Sequence, residues 1–438
     1  MNIQIPYADA SVTCELPLPD EQVSFLEAPD PQPAEELEAL VRKALANPIG
    51  SPRLGQIVGP ASRVTIIFED WTRNTPVARI MPLLLEELRS SGVADSRISL
   101  FCANGMHDPV HMTEERLIQK LGEEVFRKYQ VFSHDAYDPG GMSFIGVTEC
   151  LGTPLFINRQ VAEADVKIAV GKIAPHGDVG YSGGAKMIMP GVADLWSIIH
   201  HHTGSFPHKG ILENPLRKDI EECGRLAGLD FILNVVTNSQ GQVLRAFAGE
   251  PRAAHCQGVA FGDAKVWGAK IKEPAEIVIC WPGPGAEDYF MTSMRCLATT
   301  HICLKEGGSI VIVSSCRKGW TTQEYLDLGW HVGKDLLNCD YPELWRLMVT
   351  RAWHEPHRQF QALVYFVQHI AKTCQEKNVI LAGARGVSAE EMRKLNLKFY
   401  DDPAQAVKES VARYGPQARA FVVPNSFTLP LMHFHSAD

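Results

Sequence analysis

Short runs of β-branched and aromatic residues alternate along this chain with longer stretches whose apolar positions return every three or four residues. Arg63–Phe68 (RVTIIF), Arg97–Cys102 (RISLFC) and Val166–Val170 (VKIAV) read as buried strands. Ile277–Cys280 (IVIC), Ser309–Val313 (SIVIV), Asn378–Leu381 (NVIL) and Ala420–Val423 (AFVV) repeat the theme in the second half. Val77–Ser90 (VARIMPLLLEELRS) predicts a helix. A strand that is apolar throughout, rather than on alternate positions, fits a parallel sheet covered on both faces. Strands separated by helices therefore predict an α/β protein with mostly parallel sheets. The first forty-odd residues, rich in Pro, Asp and Glu, read as an edge hairpin followed by a connecting arm.

The chain has 438 residues. A single core rarely grows past roughly 250–300 residues, so two domains are expected. Lys270–Ala275 (KIKEPA), polar and proline-containing just before a fresh strand, marks the boundary. The expected domains are 1–272 and 273–438, with the last strand free to return to the N-terminal one. An apolar content of 45% and a charged content of 21% fit a soluble globular chain. The net charge of −9 argues against nonspecific nucleic-acid binding. It leaves room for an anionic small substrate, because a few local arginines can override the global field. The N-terminus lacks a basic segment followed by an apolar one, and no apolar run reaches the roughly 18 residues of a membrane span. The 11 cysteines are scattered without a C-x-x-C pair, as in a reducing compartment, so a cytoplasmic location is expected. Cys102 and Cys280 follow apolar runs and read as small core residues.

In open α/β sheets ligands bind beyond the carboxyl ends of the strands. The residues with chemistry sit there. Asp70-Trp71-Thr72-Arg73 follows the first strand, where Asp70 caps a helix if one starts there and Arg73 is able to grip a carboxylate bidentately, or the two form a cap plus a surface ion pair. Asn104-Gly105-Met106-His107 follows the second, and presents an imidazole that is either a proton-transfer group or an ordinary loop histidine. Between His176 and Lys186 lie Gly177, Gly180, Gly183 and Gly184, a density that suits close approach of a phosphate or other bulky ligand. Neither a Walker loop nor a GxGxxG fingerprint is present. Lys186 is able to carry a covalent cofactor, or serves as a phosphate-binding or surface lysine. His200, His201 and His202 follow; neighbouring histidines on a helix diverge, so at most one or two serve one ion. Imidazole suits Ni, Zn, Cu or Fe, and with no HExxH or thiolate cluster the other ligands must come from a cofactor. Arg295, after the first strand of the second half, offers another positive charge or belongs to a solvated helix face.

Together these segments resemble the lactate racemase family, over roughly residues 60 to 425. The motifs are Asp70-x-Thr72-Arg73-x-x-Pro76, Gly105-Met106-His107, His176 ten residues before Lys186 in SGGAK, Pro190-Gly191, and His202 sixteen residues after Lys186. Asn214-Pro215 and Asn234-Val235-Val236 look like family features too. The resemblance implies two α/β domains with the active site in the interdomain cleft. It implies a nickel-pincer nucleotide, a pyridinium-3-thioamide-5-thiocarboxylic acid mononucleotide carrying nickel, attached covalently to Lys186. His202 matches the nickel ligand, with His200 and His201 as adjacent alternatives. His107 and His176 match the acid/base pair; Asp70, Arg73, Thr292 and Arg295 match substrate-binding positions. Thr72, Ser182, Gly183, Gly184 and Phe360 fall around the cofactor. Arg295, Thr292 and Phe360 stand where lactate-active members carry lysine, glutamine and tryptophan, which points to a larger or more anionic 2-hydroxy acid than lactate.

The implied reaction inverts C2 of a 2-hydroxycarboxylate. Its C2 proton is weakly acidic, so moving that hydrogen as hydride while a histidine takes the hydroxyl proton avoids a carbanion. Proteins that make and load the cofactor are the expected partners. Two other readings use the same residues: a Schiff base between Lys186 and pyridoxal phosphate, and a non-catalytic binding protein for small acids.

Overall fold

The computed structural model describes residues 1–107, 109–202, 210–271, 273–283, 285–320, 370, 372–426 and 431–434. Parallel sheets are present, in two units. One unit is Asp30–Val266; the other joins Met1–Pro29 to Trp267–Asp438. Residues 1–29, expected in the N-terminal domain, thus pack with the C-terminal one. Strands Asn2–Tyr7 and Ala10–Glu15 form the expected hairpin. Its inward residues Ile3, Ile5 and Cys14 share a core with Ile277, Ile279, Val311 and Val422. Nothing local to an amphipathic hairpin states which sheet its apolar face will cover.

In the Asp30–Val266 unit the sheet order is Val243–Gly249, Phe231–Thr237, Val166–Lys172, Val64–Glu69, Ile98–Ala103, Gln130–Ser133. All neighbours pair in parallel except the antiparallel edge strand Val243–Gly249. Every residue of the central strand Val64–Glu69 is buried. Val64, Ile66 and Phe68 pack with the helix Val77–Ser90 on one face, and Ile67 joins the core of the other face. Alternate residues thus serve both layers, which is why the sequence run is mostly apolar on both faces. The helix has the bounds expected from its periodicity.

The second unit holds another six-stranded parallel sheet: Lys398–Tyr400, Asn378–Ala382, Leu304–Val313, Ala275–Cys280, Ala420–Val423 and Val23–Phe25. The strand Leu431–Phe434 pairs with Gly268–Ile271 inside this unit. Cys102 and Cys280 are buried. Among the described residues no helix is long and apolar enough to cross a membrane.

Candidate active site

Register sets the strand ends level. Phe68 lies opposite Val170 on one side and Cys102 on the other, so the loops that follow open at the same edge of the sheet. Asp70 leaves the first of these ends and is 3% exposed. Its Oδ1 accepts from the Thr72 backbone at 3.1 Å and from the Thr72 hydroxyl at 2.6 Å. Its Oδ2 lies 2.5 Å from His107 Nδ1. Burial alone would raise the Asp70 carboxyl, but the His107 hydrogen bond and charge, Arg73 and Thr72 together hold it below its usual value. Asp70 caps a turn rather than a helix, since the helix starts only at Val77. An ionised carboxylate against Nδ1 fixes that nitrogen as the protonated one, so a neutral His107 carries its lone pair on Nε2. Trp71 stands edge-on to the ring at 5.8 Å. Arg73 Nη1 donates to the Thr72 hydroxyl at 2.8 Å, and buried Lys120 holds the Arg73 carbonyl at 2.6 Å.

The second loop is tied to the lysine segment. Gly105 donates its N–H to the Gly191 carbonyl at 2.9 Å, and the Lys186 carbonyl accepts from Gly191 at 3.1 Å. Asn104 anchors the same loop on Ser133 and on the His134 carbonyl, both at 2.7 Å.

His176 ends a two-residue strand paired with Gly180–Tyr181. The backbone N–H of Asp178 donates to His176 Nδ1 at 3.3 Å. That bond makes Nδ1 the acceptor, so a neutral His176 carries its proton on Nε2, the opposite tautomer to His107. The Ser182 hydroxyl donates to the Lys172 carbonyl at 2.7 Å and accepts from Ala174 N–H at 2.9 Å, closing the base of this loop.

Gly183 and Gly184 both adopt positive φ, +78° and +60°. A Cβ on Gly184 would sit 2.6 Å from Arg217 Nη2. Asn234 Oδ1 accepts from Gly184 N–H at 2.7 Å, and His255 Nε2 meets the Ser182 carbonyl at 2.8 Å. A 3₁₀ turn, Gly184–Met187, then delivers Lys186. The residue keeps some solvent contact, but protein crowds its amine. Desolvation and the Arg73 charge, helped by Arg217, outweigh Asp178 and Glu69 and bring the amine down to about 7. A large fraction is then the uncharged nucleophile at neutral pH.

The helix Leu195–His202 separates the three histidines. His200 Nε2 lies 3.1 Å from the Leu151 carbonyl at the surface. His201 is fully buried, its Nδ1 2.8 Å from Asp219 Oδ2, and Asp219 also accepts from Thr148 and Thr153. His202 Nδ1–H donates to the Ile198 carbonyl at 2.7 Å, which places the neutral ring's lone pair on Nε2. Burial, His201 and Lys186 lower His202 to about 3 and keep it neutral. Among the described residues no three His, Cys, Asp or Glu side chains gather as a metal cage.

In the other unit, the Thr292 hydroxyl donates to the carbonyls of Ala286 and Tyr289. Arg295 is exposed at the junction of two short helices. Phe360 lies outside the described residues. Sequence reasoning missed Glu69, Lys120, Arg217 and His255, which support the loops from below. Each sits inside an ordinary helix or strand pattern, so only burial distinguishes them.

An oriented carboxylate–imidazole pair, a second loop imidazole and a desolvated amine thus stand on loops at the carboxyl edge of a parallel sheet, the edge where α/β enzymes hold their ligands. Residues 7–211 match the model of the lactate racemase N-terminal domain. The chain is 33% identical over 329 residues to the lactate racemase of Thermoanaerobacterium thermosaccharolyticum, covering 73% of this chain and 75% of that protein. It is 29% identical over 392 residues to the lactate racemase of Lactiplantibacillus plantarum, covering 88% of each. The structure of the T. thermosaccharolyticum lactate racemase apoprotein superposes with a TM-score of 0.80 at 26% identity, over 99% of this chain and 100% of that one. A Thermotoga maritima protein shares the fold, with a TM-score of 0.62 at 18% identity over 93% of this chain and 100% of that one. The chain belongs to the lactate racemase family. These relatives support an enzyme of the racemase class.

Proposed function

We propose that this protein inverts C2 of a 2-hydroxycarboxylic acid with a nickel-pincer nucleotide tethered to Lys186. The observation that carries the reading is the crowded Lys186 amine, whose hold on its proton is weakened by burial and Arg73, together with a His202 ring whose Nδ1 is engaged by Ile198. The chain's own residues fit the group. Lys186 would form the covalent link, the turn at Gly183 and Gly184 would admit its bulk, and His202 would supply the single protein ligand to nickel. A metal here needs further donors, and a pincer provides them. When bound, the cofactor supplies a reversible hydride acceptor for substrate C2.

The protein residues manage everything else. Arg73 carries a guanidinium suited to holding the substrate carboxylate. His107, with Asp70 behind it, takes the hydroxyl proton at Nε2, and Asp70 stabilises the resulting imidazolium. His176, when doubly protonated, would return a proton from Nε2 on the other face and be left neutral. For the reverse direction the two exchange roles. Departures at Thr292, Arg295 and Phe360 favour a substrate larger or more anionic than lactate.

The test is co-expression with cofactor-making enzymes, followed by nickel analysis, intact mass and a chirality screen of C2-deuterated 2-hydroxy acids. Bound nickel, added mass at Lys186 and inversion with deuterium retained are expected. Protein that gains neither nickel nor mass refutes the reading. The same amine suits a pyridoxal Schiff base, for which a borohydride-sensitive visible band would replace the nickel signal.

A further inference from the structure

Beneath the lysine turn lies a charged pair that the proposed reaction does not use. Arg217, on the helix Pro215–Leu226, is 2% exposed. Its backbone N–H is capped by the Asn214 side chain at 2.8 Å, which locks the first turn of that helix. Its Nη1 donates to the carbonyls of Tyr181 and Gly183, both at 3.2 Å. Its Nε donates to Glu221 at 2.6 Å, one helical turn on, and Nη2 is ion-paired to the same oxygen. Nη2 also occupies the space that a side chain on Gly184 would need. A guanidinium with no access to solvent is costly unless it is paired, and its own turn of helix would be satisfied without it. Its contacts instead point at the two residues that lead into Lys186.

We propose that the buried Arg217–Glu221 pair positions Lys186 and governs how readily its amine reacts, acting through the Tyr181–Gly184 turn. The inference rests on Lys186 being the tether. The charged groups that face the Lys186 amine are Arg73 and Arg217, which favour the neutral form, and Asp178 and Glu69, which oppose it; His202 is the titratable neighbour on the next helix. Arg73 sits in an open loop and is free to be neutralised by a substrate carboxylate. Arg217 is buried and held by Glu221, so its influence is permanent. Removing Arg217's charge leaves more of the amine protonated at neutral pH. Removing Glu221's charge does the reverse.

The experiment uses the full chain before cofactor attachment and acetic anhydride as probe. A neutral amine attacks the anhydride carbonyl, and acetyl-lysine, acetate and a proton result. The rate at Lys186 is followed by peptide mass spectrometry across pH, with exposed Lys43 as internal reference. Arg217→Gln is expected to move the Lys186 midpoint up by about one pH unit, which makes acetylation at pH 7 about fivefold slower. Glu221→Gln is expected to move it down and speed the reaction. Arg217→Lys, which keeps the charge, restores the wild-type midpoint. Midpoints that do not move, or that move the same way in both neutral variants, overturn the proposal. If Arg217→Gln does not fold, Glu221→Gln alone decides by its sign. Failure of the tether reading shows separately, as absence of added mass on the co-expressed protein.

Discussion

Gly184→Ala is the sharpest test of the packing that delivers Lys186. Two costs combine in it. The native φ of +60° is one that an L side chain adopts at a cost of roughly 1–2 kcal/mol. The new methyl would also lie 2.6 Å from Arg217 Nη2 and 3.0 Å from His255 Cδ2. Neither neighbour can retreat, because Arg217 is held by two carbonyls and Glu221, and His255 by Ser182. Overpacking of that kind costs roughly 1–3 kcal/mol, so the total is about 2–5 kcal/mol. Gly152 supplies the control within the same unit: its φ is +67°, but nothing lies within 4 Å of the place a methyl would take. Gly152→Ala should carry the backbone cost alone. At roughly 2–4 °C per kcal/mol for a unit of this size, thermal unfolding followed by circular dichroism should fall by about 10 °C for Gly184→Ala and about 4 °C for Gly152→Ala. Equal losses would mean that the guanidinium does not occupy the space beneath the turn, and the account of Lys186 would fail with it.

Asp70→Asn removes a charge-assisted bond to His107, worth roughly 1.5–3 kcal/mol, so inversion should slow by about 10–150-fold at unchanged nickel content. Loss of nickel instead of rate would show that Asp70 shapes the cofactor site. His202→Ala should leave melting nearly unchanged and abolish nickel binding. His201→Ala should do the opposite, removing one of three hydrogen bonds to buried Asp219 at a cost of roughly 1.5–3 kcal/mol read by urea unfolding. Burial lowers His134 to about 4, below its ordinary unfolded value near 6.5. Its neutral form is the one the fold accepts, so this contribution is complete above pH 6.5 and is lost as pH falls toward 4. Urea unfolding at pH 4.5 should therefore show about 2–3 kcal/mol less stability than at pH 7 from this residue, a difference that His134→Gln should largely remove.

Much of the frame was open to reading from the chain. The central strands are mostly apolar on both faces because both faces of a parallel sheet are covered, and the helix Val77–Ser90 shows its period plainly. The chemical groups at the strand ends were readable because a parallel sheet collects its ligand-binding loops at one edge. Asp70, His107, His176 and Lys186 stood out as candidates by residue type and by the family resemblance, and His202 only alongside His200 and His201. Their states could not be read from the chain. Three consecutive histidines look alike in sequence. Tertiary contacts give His201 to Asp219 and His200 to a surface carbonyl, and leave His202 with a bond inside its own helix, to Ile198. Spacing brings a lysine near glycines; desolvation and the charges of Arg73 and Arg217, from two other segments, loosen its amine's hold on its proton. The N-terminal hairpin likewise carries its own pairing, while the sheet it covers is a choice made in three dimensions. Local pattern determines which backbone forms and where its loops emerge. Protonation, tautomer and reactivity depend on groups far apart in sequence, and those meet only when the chain is folded.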